Sequence, residues 1–242
     1  QSGDAVSVFD GESNNRFTTS DSGSQAQFTG SAAPRASYTV IYPYDAASSL
    51  QDGIISFSWP SVQAPSTGTF APGANISAGL TSSNGGSHSA IMYNAGCVVR
   101  FSVRRASSGV TRVDVRTAGG EKISGSSLIS FNSEGIPAAT ASGSDCVSAV
   151  PASGATCFEG GEYVLTLCPA SISDGFVVDV FKNDEKAASW SFDGLSEFKR
   201  NASYVLKGFV DDGLSGLYCE GMGEEHALSR ADDESKLNDW NR

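Results

Sequence analysis

Apolar residues recur with a period near two along most of the chain, in short runs bounded by Gly, Ser, Asn, Asp and Pro. Because successive side chains of a strand point to opposite faces, this spacing is typical of half-buried β-strands. Runs with helical spacing are scarce. The pattern therefore predicts an all-β fold, with strands at AVSVF, RFTT, AQFTG, SYTVIYPY, IISFSW, SAIMYN, CVVRFSV, VTRVDVRT, KISGSSLISF, CVSAV, YVLTLCP, GFVVDVF, AASWSF and SYVLKGF.

These strands are too many for one small domain. An immunoglobulin-like sandwich uses about seven strands and this chain offers about twice that number, so we expect two β-sandwiches in tandem. Between IISFSW and SAIMYN the chain runs for about 25 residues with little periodicity, a length that is uncommon for a loop inside a compact domain. We place the junction after this loop. The expected domains are an N-terminal sandwich at residues 1–93 and a C-terminal sandwich at residues 94–210.

The long loop contains VQAPSTGTFAPGANISAG, in which no residue is charged. Such a segment can cross from one sandwich to the other and leaves little charge to desolvate where the two touch. We interpret it as structural.

Residues 211–242 have a different composition from the rest of the chain. They contain nine acidic and three basic residues, a net charge of −6 out of the −11 of the whole sequence. Their composition predicts a solvated acidic tail or a linker.

Composition and charge exclude several classes of function. A net charge of −11 argues against binding to nucleic acid, whose phosphates need clustered Lys and Arg. Low charge (18% of residues) and 27 glycines are typical of exported β-rich proteins. No stretch approaches the ~18 apolar residues of a membrane span, and the first residues lack the features of a signal peptide. We expect an exported protein whose export signal lies outside this sequence.

The residues that carry most enzyme chemistry are few. Five cysteines occur without a C-x-x-C pair, and the two histidines, His88 and His226, lie in a Ser/Gly-rich turn and in the acidic tail. Neither is placed as a catalytic base, and the set does not match a metal site. We expect no enzymatic activity, no catalytic residues, no cofactor and no bound metal.

Aromatic residues leave one binding function open. Tyr42, Tyr44 and Trp59 lie in two neighbouring strand segments, and under strict alternation the two tyrosines share a face. Exposed Tyr or Trp on a sheet can stack on a sugar or anchor a protein partner, whereas most aromatic residues on strands pack in the core.

The order of several segments resembles the fimbrillin-like (Mfa-like) pilin superfamily of the Bacteroidales over about residues 3–210. The matching segments are GDAVSVFDG, FTG, YTVIYPYD, WPSVQ followed by GTFAPGANISAG, YNAGCVVRFSV, VTRVDVRTAGGEKISGSSLISFNSEGIP, FEGGEYVLTLCPASISDGFVVDVF and FKRNASYVLKGFV. The resemblance rests on the order and spacing of strands and turns.

This resemblance implies two tandem transthyretin-like β-sandwich domains. It also implies export as a lipoprotein precursor, trimming at an arginine, and assembly into a fimbria (pilus) at the cell surface or outer membrane. The expected partners are other fimbrial subunits, joined by β-strand addition, and a host or bacterial surface ligand. The alternative is a surface carbohydrate-binding or adhesin module of related fold.

Strand exchange suggests particular residues. Strand-like residues begin close to Gln1, so a preceding strand removed by processing would leave a groove lined by Val6, Val8 and Phe9. Near residue 210, Tyr204, Leu206 and Phe209 alternate as a donor strand would, although their strand can also belong to its own sandwich.

Overall fold

A computed structural model describes residues 1–11, 13–106, 109–211 and 218–220 of the chain. In these residues there are 21 β-strands and no α-helix, which confirms the all-β prediction. The strands form two β-sandwiches, each with its own hydrophobic core. Of the predicted acidic tail, Asp211 and one short strand are described, and the remainder lies outside the described residues.

The first sandwich is built from a six-stranded and a four-stranded sheet. The six-stranded sheet has the order β2-β1-β3-β7-β8, with β9 also paired to β7, and the four-stranded sheet has the order β13-β12-β5-β4. Their bounds are β1 Ala5–Phe9, β2 Asn14–Thr18, β3 Thr39–Tyr42, β7 Ser77–Asn84, β8 Ser87–Ala90, β9 Tyr93–Asn94, β4 Ser49–Gln51, β5 Ile54–Trp59, β12 Gly125–Phe131 and β13 Pro137–Ala141.

Strict alternation produces the first core. Along β5, Ile55, Phe57 and Trp59 are buried and the residues between them are exposed. The buried side chains pack between the two sheets against residues such as Phe9 and Ile41 of the six-stranded sheet. A period of two thus assigns one face of each strand to the core and the other to solvent.

The second sandwich combines a four-stranded sheet, β15-β10-β20-β21, with a five-stranded sheet, β18-β17-β11-β14-β6. Two further strands, β16 and β19, form a separate two-stranded sheet. The bounds are β10 Cys97–Val103, β15 Gly161–Leu167, β20 Ser203–Lys207, β21 Tyr218–Glu220, β6 Val62–Gln63, β11 Val110–Thr117, β14 Cys146–Ala149, β17 Phe176–Lys182, β18 Glu185–Phe192, β16 Ala170–Ser171 and β19 Glu197–Phe198.

Aromatic side chains fill much of the second core. The ring of Phe101 stacks on that of Tyr163 with centroids 5.5 Å apart, and Phe158 meets both rings edge-on. Phe176 stacks on Phe192 at 4.6 Å. These contacts add a preferred ring geometry to the free energy of burying large apolar surfaces.

Each sandwich contains strands from both halves of the sequence. β5 pairs with β12, so residues 125–141 return to the first sandwich. β6 pairs with β14, so residues 62–63 belong to the second. A cut at residue 94 would therefore separate paired strands of both sandwiches.

Candidate functional site

The residues predicted to line a strand-accepting groove, Val6, Val8 and Phe9, lie on β1. This strand is paired along both edges, with β2 on one side and β3 on the other. Val6 and Val8 belong to a small apolar cluster, whereas Phe9 points into the first core. In this structure β1 offers no free backbone edge to an incoming strand.

A loop between β2 and β3 adds to the cluster around Val6 and Val8. Phe28, in the middle of this loop, packs against the cluster. Thr18 and Thr29 exchange backbone hydrogen bonds of 3.0 and 2.9 Å, which fix the loop beside β2. AQFTG was predicted as a strand, and its backbone makes only this single bridge.

Asp10 anchors the same end of the first sandwich, and the sequence analysis missed it. It is 5% exposed, and its carboxylate accepts hydrogen bonds from the backbone N–H groups of Ser13 and Ala33 and from Asn15 Nδ2, at 2.9–3.0 Å. A buried carboxylate needs such donors to offset its loss of hydration. The available signal was an acidic residue directly after an apolar strand, in VFDG.

The predicted donor residues Tyr204, Leu206 and Phe209 lie on or just after β20. Tyr204 and Leu206 are 3% and 2% exposed and belong to the second core. Burial raises the pKa of Tyr204 to about 12, and its hydroxyl donates to the carbonyl of Glu197 at 2.9 Å. Phe209 is 37% exposed, with the Arg104 guanidinium 4.7 Å from its ring centroid. The strand is thus part of its own sandwich.

The far edge of β20 is covered by a very short strand. On one side β20 runs parallel to β10, and on the other it pairs antiparallel with β21. β21 has three residues, Tyr218–Glu220, and Cys219 lies opposite Leu206. A strand edge holds a partner through its backbone hydrogen bonds, and among the described residues only these three pair with this edge.

The uncharged loop covers the other edge of that sheet, at β15. Gln63 is 2% exposed, and its side-chain amide bonds to both the N–H and the C=O of Thr166. Further along, Gly68 N–H donates to the carbonyl of Glu162 at 2.8 Å, and Phe70 forms a parallel bridge with Val164. The loop therefore satisfies backbone groups that β15 would otherwise expose at its edge.

The three candidate ligand aromatics do not form one platform. Trp59 is 1% exposed and packs in the first core, so it is unavailable to a ligand. Tyr42 and Tyr44 are both half-buried, and the Arg16 guanidinium lies 5.6 Å from the ring centroid of Tyr44. Burial and the neighbouring Asp4 carboxylate raise the pKa of Tyr42.

Charged residues on the second sandwich pair with one another. Asp179 is 3% exposed, and its carboxylate meets Arg116 at 3.1 Å, Lys186 at 3.0 Å and the hydroxyl of Ser189 at 2.6 Å. Burial by itself would raise the pKa of Asp179, but these hydrogen bonds outweigh it and hold the pKa below its usual value. The arrangement is that of a structural ion-pair network.

The described residues contain no cluster of three or more His, Cys, Asp or Glu side chains that could hold a metal ion. Nor do they contain a helix long and apolar enough to cross a membrane. Within the described residues, no disulfide joins any of the five cysteines.

No family model and no curated protein matches the sequence. Several solved structures resemble it, and two of them are from Bacteroides species. A candidate cell adhesion protein from Bacteroides uniformis has a TM-score of 0.59 and 14% identity, with 90% of each chain covered. A second, from Bacteroides ovatus, has a TM-score of 0.53 and 12% identity, covering 90% of this chain and 85% of the other. At these identities the likeness shows the fold, shared over most of both chains.

Proposed function

We propose that this protein is a cell-surface adhesion protein, built as a structural subunit of fimbriae and joined to its neighbours by strand exchange. The order of its segments resembles fimbrillin-like pilins. Two structures that share its fold come from Bacteroides and are themselves candidate cell adhesion proteins. The proposal gives the protein a non-enzymatic role, in which the strands are the functional parts.

One observation carries the assembly step: the three-residue strand β21 is all that pairs with the outer edge of β20 among the described residues. Beneath that edge lie Tyr204 and Leu206, which belong to the core. If β21 leaves, the outward backbone groups of β20 and part of this core become available to another strand. In the proposed assembly, β21 of one subunit pairs with β20 of the next.

Disulfide trapping tests this step, because Leu206 and Cys219 face each other across the antiparallel pair. Cβ atoms of directly opposed residues lie about 4.5–5.5 Å apart, close to disulfide geometry. A Leu206→Cys variant, concentrated and then oxidised, should give covalent multimers on a non-reducing gel. The control Leu206→Cys/Cys219→Ser keeps the same core change and should give none.

The two arrangements of β21 predict different products. Oxidation that yields only monomers with an internal crosslink would show that β21 stays on its own sandwich, and it would overturn strand exchange at this edge. Multimers that persist in the control would show that another cysteine forms the crosslink. That result would also overturn strand exchange at this edge.

A further inference from the structure

The outer face of the β13-β12-β5-β4 sheet carries no charged side chain. Alternation places every second residue of these strands on that face, and all eleven of these outward residues are exposed. They are Ser49, Gln51, Ile54, Ser56, Ser58, Ser126, Leu128, Ser130, Ala138, Thr140 and Ser142, the last lying just after β13. We name this surface the neutral face.

The side chains of the neutral face form regular rows. One row crosses all four strands, in the order Ser49, Ser56, Leu128 and Thr140. The paired residues advance one at a time on each strand, without a bulge. Leu128, which is 48% exposed, lies in this row. The other large apolar side chain, Ile54, is 40% exposed and lies in the neighbouring row, beside the β4–β5 turn.

The outer face of the second sandwich is the opposite in character. On β11 and β17, Arg112, Asp114, Arg116 and Asp179 point outward and form ion pairs. Lys186 on β18 joins them. The neutral face thus has no charged side chains, although the chain as a whole has a net charge of −11.

We infer that the neutral face packs against the same face of a second copy of this chain, in a two-fold arrangement. Two copies with a net charge of −11 repel each other, and the repulsion is smallest where neither copy brings charge to the contact. Short Ser, Thr and Ala side chains let two sheets approach closely. Leu128 of both copies would be buried in the contact, with Ile54 diagonally beside it.

The area of the neutral face sets the expected strength of dimerisation. Four strands about 4.8 Å apart and about six residues long cover roughly 400 Å² per copy, or about 800 Å² in total. This area is below the usual range for stable complexes, so the contact should be weak and concentration-dependent. Subunits held side by side on a surface would reach the concentration that it needs.

Other occupants fit the face less well. A sugar is normally held by stacking on an aromatic ring, and the eleven residues include none. A charged partner finds no opposite charge there. A second copy needs neither, because it presents the same neutral surface.

Sedimentation equilibrium of the full chain, over micromolar to several hundred micromolar protein, tests the inference. Wild type should show a monomer–dimer equilibrium. Leu128→Glu and Leu128→Lys should each weaken dimerisation about tenfold or more, because either charge would be buried without a partner. Higher salt should strengthen the wild-type dimer by screening the repulsion between copies.

Val62 provides the matched control. It is an apolar residue, 61% exposed, on the second sandwich, so Val62→Glu and Val62→Lys make the same charge changes away from the neutral face. These variants should dimerise within about twofold of wild type. Melting temperatures of the Leu128 variants close to that of wild type would confirm that these variants fold.

Several results would overturn the inference. One is a wild-type protein that stays monomeric over the whole concentration range. Binding of a different protein to the neutral face, with no dimer, would count against the inference in the same way. Another is a pair of Leu128 variants with opposite effects, which would show that net charge controls association. A third is equal loss in the Val62 controls. Strand exchange is tested by covalent multimers formed through Cys219, whereas dimerisation through the neutral face is tested by sedimentation. One proposal can therefore fail while the other holds.

Discussion

The side chain of Gln63 and the backbone of Thr166 are joined by two hydrogen bonds although 103 residues separate them in the sequence. Gln63 Nε2 donates to the Thr166 carbonyl at 2.7 Å, and the Thr166 N–H donates to Gln63 Oε1 at 3.0 Å. The side chain of one residue thus does for β15 what the backbone of a neighbouring strand would do.

Replacing Gln63 with Ala should leave both backbone groups of Thr166 buried without these partners. We expect a loss of about 1–3 kcal/mol in the free energy of unfolding, measured by urea denaturation. Gln27→Ala is the control, because that glutamine side chain is exposed. Equal stability of the two variants would mean that water or the neighbouring loop replaces the amide.

Asp179→Asn should destabilise the protein near pH 7 by about 1–3 kcal/mol, since Arg116 and Lys186 would lose their carboxylate. The pKa of Asp179 is lowered in the folded state, so the stability it contributes is present above the usual unfolded value near 3.9. That contribution is lost as the pH falls through the folded pKa.

Denaturation measured from pH 7 to pH 3 checks the sign for Asp179. The stability gap between wild type and Asp179→Asn should narrow below about pH 4. The exposed Asp193 supplies the control variant, Asp193→Asn, which should show a small effect at every pH. A gap that is constant with pH would rule out the charge as its cause.

Gly96 and Trp59 should be coupled in stability. A Cβ at Gly96 would lie 2.5 Å from the Trp59 ring and 2.9 Å from the Leu167 carbonyl oxygen. Gly96→Ala should therefore cost about 1–3 kcal/mol. Trp59→Phe removes the outer ring and makes room, so the double variant should lose less than the sum of the two single variants. Simple additivity in urea denaturation would contradict the contact.

The cysteines should differ in their reactivity toward iodoacetamide, followed by peptide mass spectrometry. The thiolate is the reactive form, and burial raises the pKa of Cys97 strongly and that of Cys168 to about 12. Burial and Asp114 raise the pKa of Cys146 to about 11. Among these four, half-buried Cys157 should react first and Cys146 more slowly, whereas Cys97 and Cys168 should react after unfolding in urea.

Rapid native labelling of Cys97 or Cys168 would show that the interior opens easily. Labelling of Cys157 slower than that of Cys146 would contradict the ranking. Unfolded protein, in which all five thiols should react alike, provides the reference rate.

Local pattern predicted the strands well and their partners poorly. IISFSW alternates in the sequence as it does in burial, because alternation is a property of a single strand. Its pairing with β12 depends on contacts between residues about seventy positions apart, which no local pattern encodes. For the same reason, AQFTG looks like a strand but serves as part of a covering loop.

The candidate sites show the same limit. Trp59 and Tyr44 are alike in the sequence, and only the packing of the two sheets decides that one is buried and the other half-exposed. Strand-like residues near Gln1 indicated an edge, whereas β1 lies inside its sheet. Whether a strand is central or at an edge is set by the whole topology, and so is the neutral face, whose residues come from four strands.

The chain passes between its two sandwiches five times, at the connections β5–β6, β6–β7, β9–β10, β11–β12 and β13–β14. Two domains joined by one linker part as soon as that linker is stretched. Here, a force that draws the sandwiches apart is shared among five backbone tethers, so each bears a fraction of the load. A single peptide-bond cleavage in one tether leaves four in place, and a molecule exposed to shear and proteases would stay in one piece.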